Sequence, residues 1–144
     1  MLFKALDETI SVSPQITVAD LQLAAAQGFK AVICNRPDDE EVGQLTAKEL
    51  KRHAEALGMS FTHIPVTHAG FSQLQIDEMV IALSRARGPV LAFCRSGTRS
   101  TLLWALAQVK LSQSPDVLEA KAAAQGYDLK PIRAMLDMMA ASVK

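Results

Sequence analysis

Short apolar runs alternate with longer segments of helical periodicity along most of the chain, and this alternation constrains the fold more than any other feature. The apolar runs predict strands over residues 9–13, 30–35, 60–66 and 90–93. The periodic segments predict helices over residues 18–27, 46–57, 72–87, 98–110, 115–125 and 130–143. Strands separated by helices pair in parallel. The sequence therefore predicts an α/β fold with a mostly parallel central sheet of about four to five strands, flanked by helices.

Size and composition are typical of one domain with a substantial apolar core. The chain has 144 residues, of which 49% are hydrophobic. Because this length fits a single domain, we expect residues 1–144 to form one unit. The first residues lack the apolar stretch of a signal peptide, and no apolar run is long enough to span a bilayer. We therefore expect a cytoplasmic protein without a membrane partner, and a homo-oligomer remains compatible with the sequence.

Charge and metal-ligand content exclude several classes of function. Fifteen basic residues balance fifteen acidic residues, so the chain lacks the positive charge of a typical nucleic-acid-binding protein. Its two cysteines are too few for a disulfide scaffold or a four-thiolate zinc site, and its three histidines have no ligand-like spacing. We therefore expect no metal, no cofactor and no nucleic-acid partner. A small anionic substrate must instead be bound by a local group of donors.

The most informative segment joins the last predicted strand to the helix that follows it. The strand leads into Cys94, a turn contains Gly97, and the helix begins near Thr98. Ligands of parallel α/β sheets bind beyond the carboxyl ends of the strands, which is where this segment is expected. Backbone N–H groups of the turn and the positive end of the helix dipole favour an anion there. They also favour the thiolate of Cys94, which is the nucleophilic form.

Several side chains at the same edge of the predicted sheet suit an anionic substrate. Arg99 has a planar guanidinium that binds tetrahedral oxyanions, and Ser100 can donate a hydrogen bond to the thiolate. His68 follows a predicted strand and is a candidate general acid, with a solvated loop histidine as the alternative. Arg36 follows another strand and is a candidate for the pocket entrance, with a solvated loop residue as the alternative. We assign catalysis to Cys94, Arg99, Ser100 and His68, and substrate binding to Arg36, Arg95, Ser96, Gly97 and Thr98.

The second cysteine, Cys34, ends a predicted strand that we expect beside the strand leading to Cys94. A thiol in that place can form a disulfide with an oxidised Cys94, or accept sulfur from it. Packing in the core is the alternative that we favour, because free cysteines are among the most buried residues. The sequence leaves the role of Cys34 open.

Residues 94–100, with the sequence CRSGTRS, resemble the active-site loop that cysteine-dependent phosphatases and rhodaneses share in outline. Together with the upstream segments ISVSPQI, AVICNRPD and HIPV, this loop resembles the bacterial beta-lactamase-hydrolase-like phosphatase-like domain. The resemblance covers about residues 6–111 and implies a dual-specificity-phosphatase-like fold. It also implies a hydrolase that cleaves a phosphate ester through the Cys94 thiolate and the Arg99 oxyanion site. The family is associated with sulfur transfer as well.

Three departures from the phosphatase pattern leave the chemistry open. Four residues separate Cys94 from Arg99, where these phosphatases usually have five, and Phe93 stands where they have histidine. Their general acid is an aspartate after the strand that matches HIPV, but this chain has no carboxylate there before Asp77. The shorter spacing resembles that of rhodaneses and supports a sulfurtransferase that carries a persulfide on Cys94. A non-catalytic anion-binding module is a third alternative, and we rank the phosphatase-like hydrolase first.

Overall fold

The predicted alternation of strands and helices is present in the computed structural model, which describes residues 3–143. The strands are β1 (Lys4–Ala5), β2 (Ile10–Ser13), β3 (Ala31–Cys34), β4 (Ser60–His63) and β5 (Val90–Phe93). The helices are α1 (Val18–Ala26), α2 (Ala47–Ala56), α3 (Gln73–Arg85), α4 (Thr98–Lys110), α5 (Pro115–Ala124) and α6 (Arg133–Val143). A short 3₁₀ helix, Lys130–Ile132, leads directly into α6.

The differences from the sequence prediction have local causes. β1 was not predicted, because two residues are too few to show a periodic pattern. The strand predicted over residues 60–66 ends at His63, and Pro65 beyond it has no N–H to donate to a neighbouring strand. The helix predicted over residues 130–143 begins as a 3₁₀ turn that contains a proline near its start.

The sheet has five strands in the order β1-β2-β5-β3-β4. β2, β5, β3 and β4 run parallel to their neighbours, and β1 pairs antiparallel with β2. This confirms the mostly parallel α/β fold. The register aligns Ser13 with Phe93, Phe93 with Cys34, and Cys34 with His63. The four parallel strands therefore end at the same level, and we call this side of the sheet the carboxyl edge.

α4 packs within the core, and this packing fixes the location of its N-terminus. Alternate residues of β5 face opposite sides of the sheet, and one apolar cluster contains residues of α1 and α2 while the other contains residues of α3, α4, α5 and α6. Nine of the residues of α4 are buried, including Trp104, which is fully enclosed. Because α4 is enclosed in this way, its N-terminus is held at the carboxyl edge. Within residues 3–143, no helix is long and apolar enough to cross a membrane.

Candidate active site

Cys94 lies at the carboxyl edge, immediately after β5. Its side chain is fully buried, and its backbone N–H donates to the Ser13 carbonyl of the neighbouring strand at 3.3 Å. The backbone N–H of Gly97 donates to Cys94 Sγ at 3.1 Å. Gly97 has a φ of 92°, a left-handed conformation that favours glycine, and it caps the N-terminus of α4. The turn therefore directs a main-chain donor at the sulfur, where it favours a thiolate.

Arg99 lies in the first turn of α4, and acceptors on two sides fix its guanidinium. Nη1 and Nη2 each donate to one carboxylate oxygen of Glu40 at 2.8 Å, and Nη1 also donates to the Val66 carbonyl at 2.7 Å. These bonds use three of the five N–H donors of a guanidinium. The remaining Nε–H and Nη2–H share one edge of the plane. Such an edge can bind two oxygens of a tetrahedral anion.

The Cys94 sulfur also influences Arg99. The pKa of Arg99 is raised above its usual value, first by the hydrogen bonds to Glu40 and then by the charge of Cys94. The guanidinium therefore interacts with the Glu40 carboxylate at its end and with the charge of the nearby sulfur.

Glu40 belongs to this site, and the sequence analysis did not identify it. Besides binding Arg99, its carboxylate accepts a hydrogen bond from Arg36 Nε at 2.9 Å. The two guanidinium groups, first that of Arg99 and then that of Arg36, lower the pKa of Glu40 to about 2. The only sequence signal for Glu40 is its position four residues after Arg36, in a loop rich in charged residues. Glu40 fixes the orientation of Arg99 through bonds to both Nη groups.

Arg36 does not line the pocket entrance, contrary to the sequence-based expectation. Its side chain is only 2% exposed, and Nη1 donates to Gln15 Oε1 at 2.9 Å while Nε donates to Glu40. A buried guanidinium needs a paired carboxylate, and Glu40 supplies it. The structure therefore gives Arg36 a supporting position behind Glu40, with no direct access to a substrate.

The low pKa of Glu40 makes the stability of the fold depend on acid pH. Because folding lowers this pKa from 4.5 to about 2, the carboxylate stabilises the folded state above pH 4.5 and loses that effect as the pH falls through 2. We expect Glu40→Gln to be less stable than wild type at neutral pH, with a difference that narrows towards pH 2. Urea denaturation midpoints of wild type and Glu40→Gln, recorded from neutral pH to pH 2, measure this stability difference. If the difference between the two midpoints stayed constant with pH, Glu40 would not have a lowered pKa in the folded state.

Ser100 is buried in the first turn of α4, whereas three of the predicted substrate-binding residues are exposed. The hydroxyl of Ser100 is fully buried and has no hydrogen-bond partner in the part of the chain that the structure describes. Its predicted bond to the thiolate therefore stays a prediction. Arg95, Ser96 and Thr98 are exposed on the loop, and Ser96 Oγ accepts a hydrogen bond from the Thr98 N–H at 3.3 Å. Their predicted contacts with substrate remain untested.

His68, the candidate general acid, and Asp77, the first carboxylate after the HIPV segment, lie in different places. His68 is exposed on the loop that follows Val66, whose carbonyl binds Arg99. Asp77 instead pairs with Lys110, the last residue of α4. Since α4 has 13 residues, this pair lies roughly 20 Å along the helix from the Cys94 end. Asp77 is therefore excluded as an acid for this site, and His68 stays a prediction.

Cys34 ends β3, which pairs directly with β5 as expected. Its side chain belongs to the apolar cluster on the α1 and α2 side of the sheet, and Sγ donates to the Arg36 carbonyl at 3.4 Å. Burial raises the pKa of Cys34 to about 12. The side chain is therefore a buried thiol at neutral pH, which agrees with a packing role.

Tyr127 contacts the Cys94 loop from the C-terminal part of the chain, and the sequence analysis did not identify it. Its hydroxyl donates to the Ser96 carbonyl at 3.1 Å. The contact joins residues 31 positions apart, so no local pattern reveals it. The only available signal is that Tyr127 is the single tyrosine of the chain and follows Gly126.

Solved structures with a similar fold identify its class. A candidate phosphatase from Neisseria meningitidis is 37% identical, with a TM-score of 0.82 over 96% of this chain and 97% of that chain. A kinase-associated phosphatase, crystallised with serine in place of its catalytic-site cysteine, is 14% identical, with a TM-score of 0.74. That match covers 93% of this chain and 86% of the other. The fold is therefore that of the cysteine phosphatases, as the resemblance implied.

Within this class, residues 2–111 match the family described as beta-lactamase hydrolase-like protein, phosphatase-like domain. The chain belongs to this family, which confirms the resemblance found in the sequence. A curated relative, the beta-lactamase hydrolase-like protein of Agrobacterium fabrum, is 32% identical over 141 residues. The match covers 96% of this chain but 32% of the relative, so the chain spans about a third of that protein.

Proposed function

We propose that this chain is a cysteine-dependent hydrolase of small phosphate esters. The observation that carries the proposal is the arrangement of Arg99 in the first turn after the Cys94 loop, where its bonds to Glu40 and Val66 fix the guanidinium and leave the Nε edge free. A nucleophilic sulfur beside a bidentate oxyanion site is what phosphoryl transfer requires. The phosphatase-type family and fold support the same chemistry.

In the proposed first step, Cys94 Sγ attacks phosphorus, an S–P bond forms and the bond to the ester oxygen breaks. Arg99 and the loop N–H groups bind the three other oxygens as charge redistributes. The departing oxygen takes a proton, and His68 is the candidate donor. In the second step water attacks phosphorus and gives a proton to the same residue. The S–P bond then breaks, phosphate leaves, and Ser100 donates to the released thiolate.

A sulfurtransferase is the second candidate, favoured by the four-residue spacing and by the position of Asp77 far from the site. The Cys94 thiolate would attack the outer sulfur of thiosulfate, forming an S–S bond while sulfite leaves with the electrons of the broken bond. Cyanide or a thiolate would then attack the outer sulfur of the persulfide and release the Cys94 thiolate. Neither step needs an acid for an alkoxide leaving group.

One experiment separates the candidates: aryl-phosphate hydrolysis compared with sulfur transfer from thiosulfate to cyanide. We expect the wild type to release phosphate and Cys94→Ala to fall to background, because that variant lacks the nucleophile. Cys34→Ala is the matched control and should stay active, since Cys34 is a buried thiol away from the substrate.

Each other outcome has a definite meaning. Thiocyanate formation without phosphate release would replace the hydrolase by the sulfurtransferase. If both activities were absent from folded, reduced protein while Cys94→Ala still bound phosphate, the anion-binding module would be the correct alternative.

A further inference from the structure

The connection between α5 and the 3₁₀ helix reaches the Cys94 loop through one side chain. Tyr127 is largely buried, and its hydroxyl donates to the Ser96 carbonyl at 3.1 Å. The same hydroxyl packs so closely against Gly97 that a Cβ atom built there would overlap it. The loop is therefore supported by a residue that lies beyond the 2–111 region of the family match.

The Tyr127 hydroxyl binds the peptide group that joins Ser96 to Gly97. The Ser96 carbonyl and the Gly97 N–H belong to the same peptide, and in a trans peptide these two groups point in opposite directions. Tyr127 binds the carbonyl, and the N–H on the other side donates to Cys94 Sγ at 3.1 Å. A hydrogen bond accepted by the carbonyl also polarises the amide and strengthens its N–H as a donor.

The Ser96–Gly97 peptide needs an outside contact to keep its orientation, because the residue that follows it is glycine. Gly97 tolerates a wide range of backbone angles, so the peptide before it can rotate at little cost. A rotation would turn the N–H away from the sulfur and direct the carbonyl oxygen towards it. The hydroxyl of Tyr127 opposes that rotation by binding the carbonyl in place.

We infer that Tyr127 is a positioning residue: through the Ser96–Gly97 peptide it directs an N–H at Cys94 and so stabilises the thiolate. The inference rests on the proposed function, in which that thiolate is the nucleophile. Tyr127 acts through the peptide and makes no contact with substrate in this role. Burial and then the charge of Cys94 raise the pKa of Tyr127, so its hydroxyl keeps the proton that it donates. The Lys4 ammonium lies 5.1 Å from the centre of the ring.

Tyr127→Phe tests the inference, because it keeps the ring and removes only the hydroxyl. We expect kcat for an aryl phosphate to fall about tenfold with little change in KM, the loss that corresponds to one hydrogen bond. We also expect the ultraviolet absorbance of the thiolate at neutral pH to decrease, read as the difference from Cys94→Ala. A purely structural role would leave the charge state of Cys94 unchanged. Lys4→Gln, which leaves the hydroxyl in place, is the matched control.

The outcomes separate this inference from the proposed function. An unchanged thiolate absorbance in folded Tyr127→Phe would overturn the inference, whatever the activity. If thiolate absorbance decreases in Tyr127→Phe but the wild type hydrolyses no phosphate ester, the inference about Tyr127 stands and the proposed hydrolase function is rejected. If Tyr127→Phe does not fold, 3-fluorotyrosine in place of the single tyrosine decides, because its more acidic hydroxyl is a stronger donor to the Ser96 carbonyl. Thiolate absorbance should then rise at neutral pH, and an unchanged value would overturn the inference.

Discussion

We expect Arg99→Lys to lower kcat/KM for an aryl phosphate by about a hundredfold or more, the loss seen when one oxyanion-binding donor is removed. Lysine keeps the positive charge but has no planar pair of donors. One ammonium group also cannot bind both oxygens of Glu40, the Val66 carbonyl and a substrate at once. The measurement is steady-state kinetics on each variant, with the urea midpoint recorded to show that it is folded.

Arg133 supplies the matched control for this prediction. Its guanidinium also binds carboxylates, but those belong to surface residues of α5 and α6. Arg133→Lys therefore breaks comparable ion pairs away from Cys94, and we expect its kcat/KM to equal that of wild type. If Arg99→Lys lost less than about tenfold, or if both variants lost activity equally, Arg99 would not be the oxyanion site.

The cluster around Glu40 determines how Arg99 is held at the carboxyl edge. The guanidinium groups of Arg36 and Arg99 both bind the Glu40 carboxylate, and Glu41 Oε1 lies 3.7 Å from Arg36 Nη2. Arg36 is the more deeply buried of the pair and compensates the carboxylate. In the proposed function, the free Nε edge of Arg99 can then bind an oxyanion without opposing the field of an uncompensated carboxylate.

The fold was predictable because its signals are local. β3 and β5 are continuous apolar runs, and the capping box of Thr46 and Glu49 marks the start of α2 in the sequence and in the structure alike. β1 lacked such a signal because it is short and pairs only with β2. The boundary at His63 was missed because an apolar pattern continues beyond the last residue of the strand.

The site was predictable only where it is continuous in sequence. Cys94, Gly97 and Arg99 lie within six residues, so a strand, a turn and a helix start place them together. Glu40 lies 59 positions from Arg99, and Tyr127 lies 31 positions from Ser96. Such contacts depend on how the elements pack, which local patterns do not encode. The same limit explains Arg36, whose place on the correct edge was predictable but whose burial behind a carboxylate was not.

Gly97→Ala should lose both stability and activity, and the structure divides the loss into two causes. Alanine is strained by about 1–3 kcal/mol at a φ of 92°. Its Cβ would also overlap the Tyr127 hydroxyl. Gly58→Ala isolates the first cause, because Gly58 has a φ of 85° and open space around it. We expect Gly97→Ala to lower the free energy of unfolding by more than Gly58→Ala does, as measured by urea denaturation.

Combining Gly97→Ala with Tyr127→Phe isolates the second cause. Tyr127→Phe alone removes one hydrogen bond, which is worth about 1 kcal/mol. In the double variant the overlapping hydroxyl is absent, so we expect the combined loss to be smaller than the sum of the single losses by about 1 kcal/mol. Losses that add to within about 0.5 kcal/mol would mean that the two residues act independently. Thiolate absorbance should be lower than in wild type in both single variants and in the double variant. Each of them weakens the contacts that orient the Ser96–Gly97 peptide, whose N–H donates to Cys94.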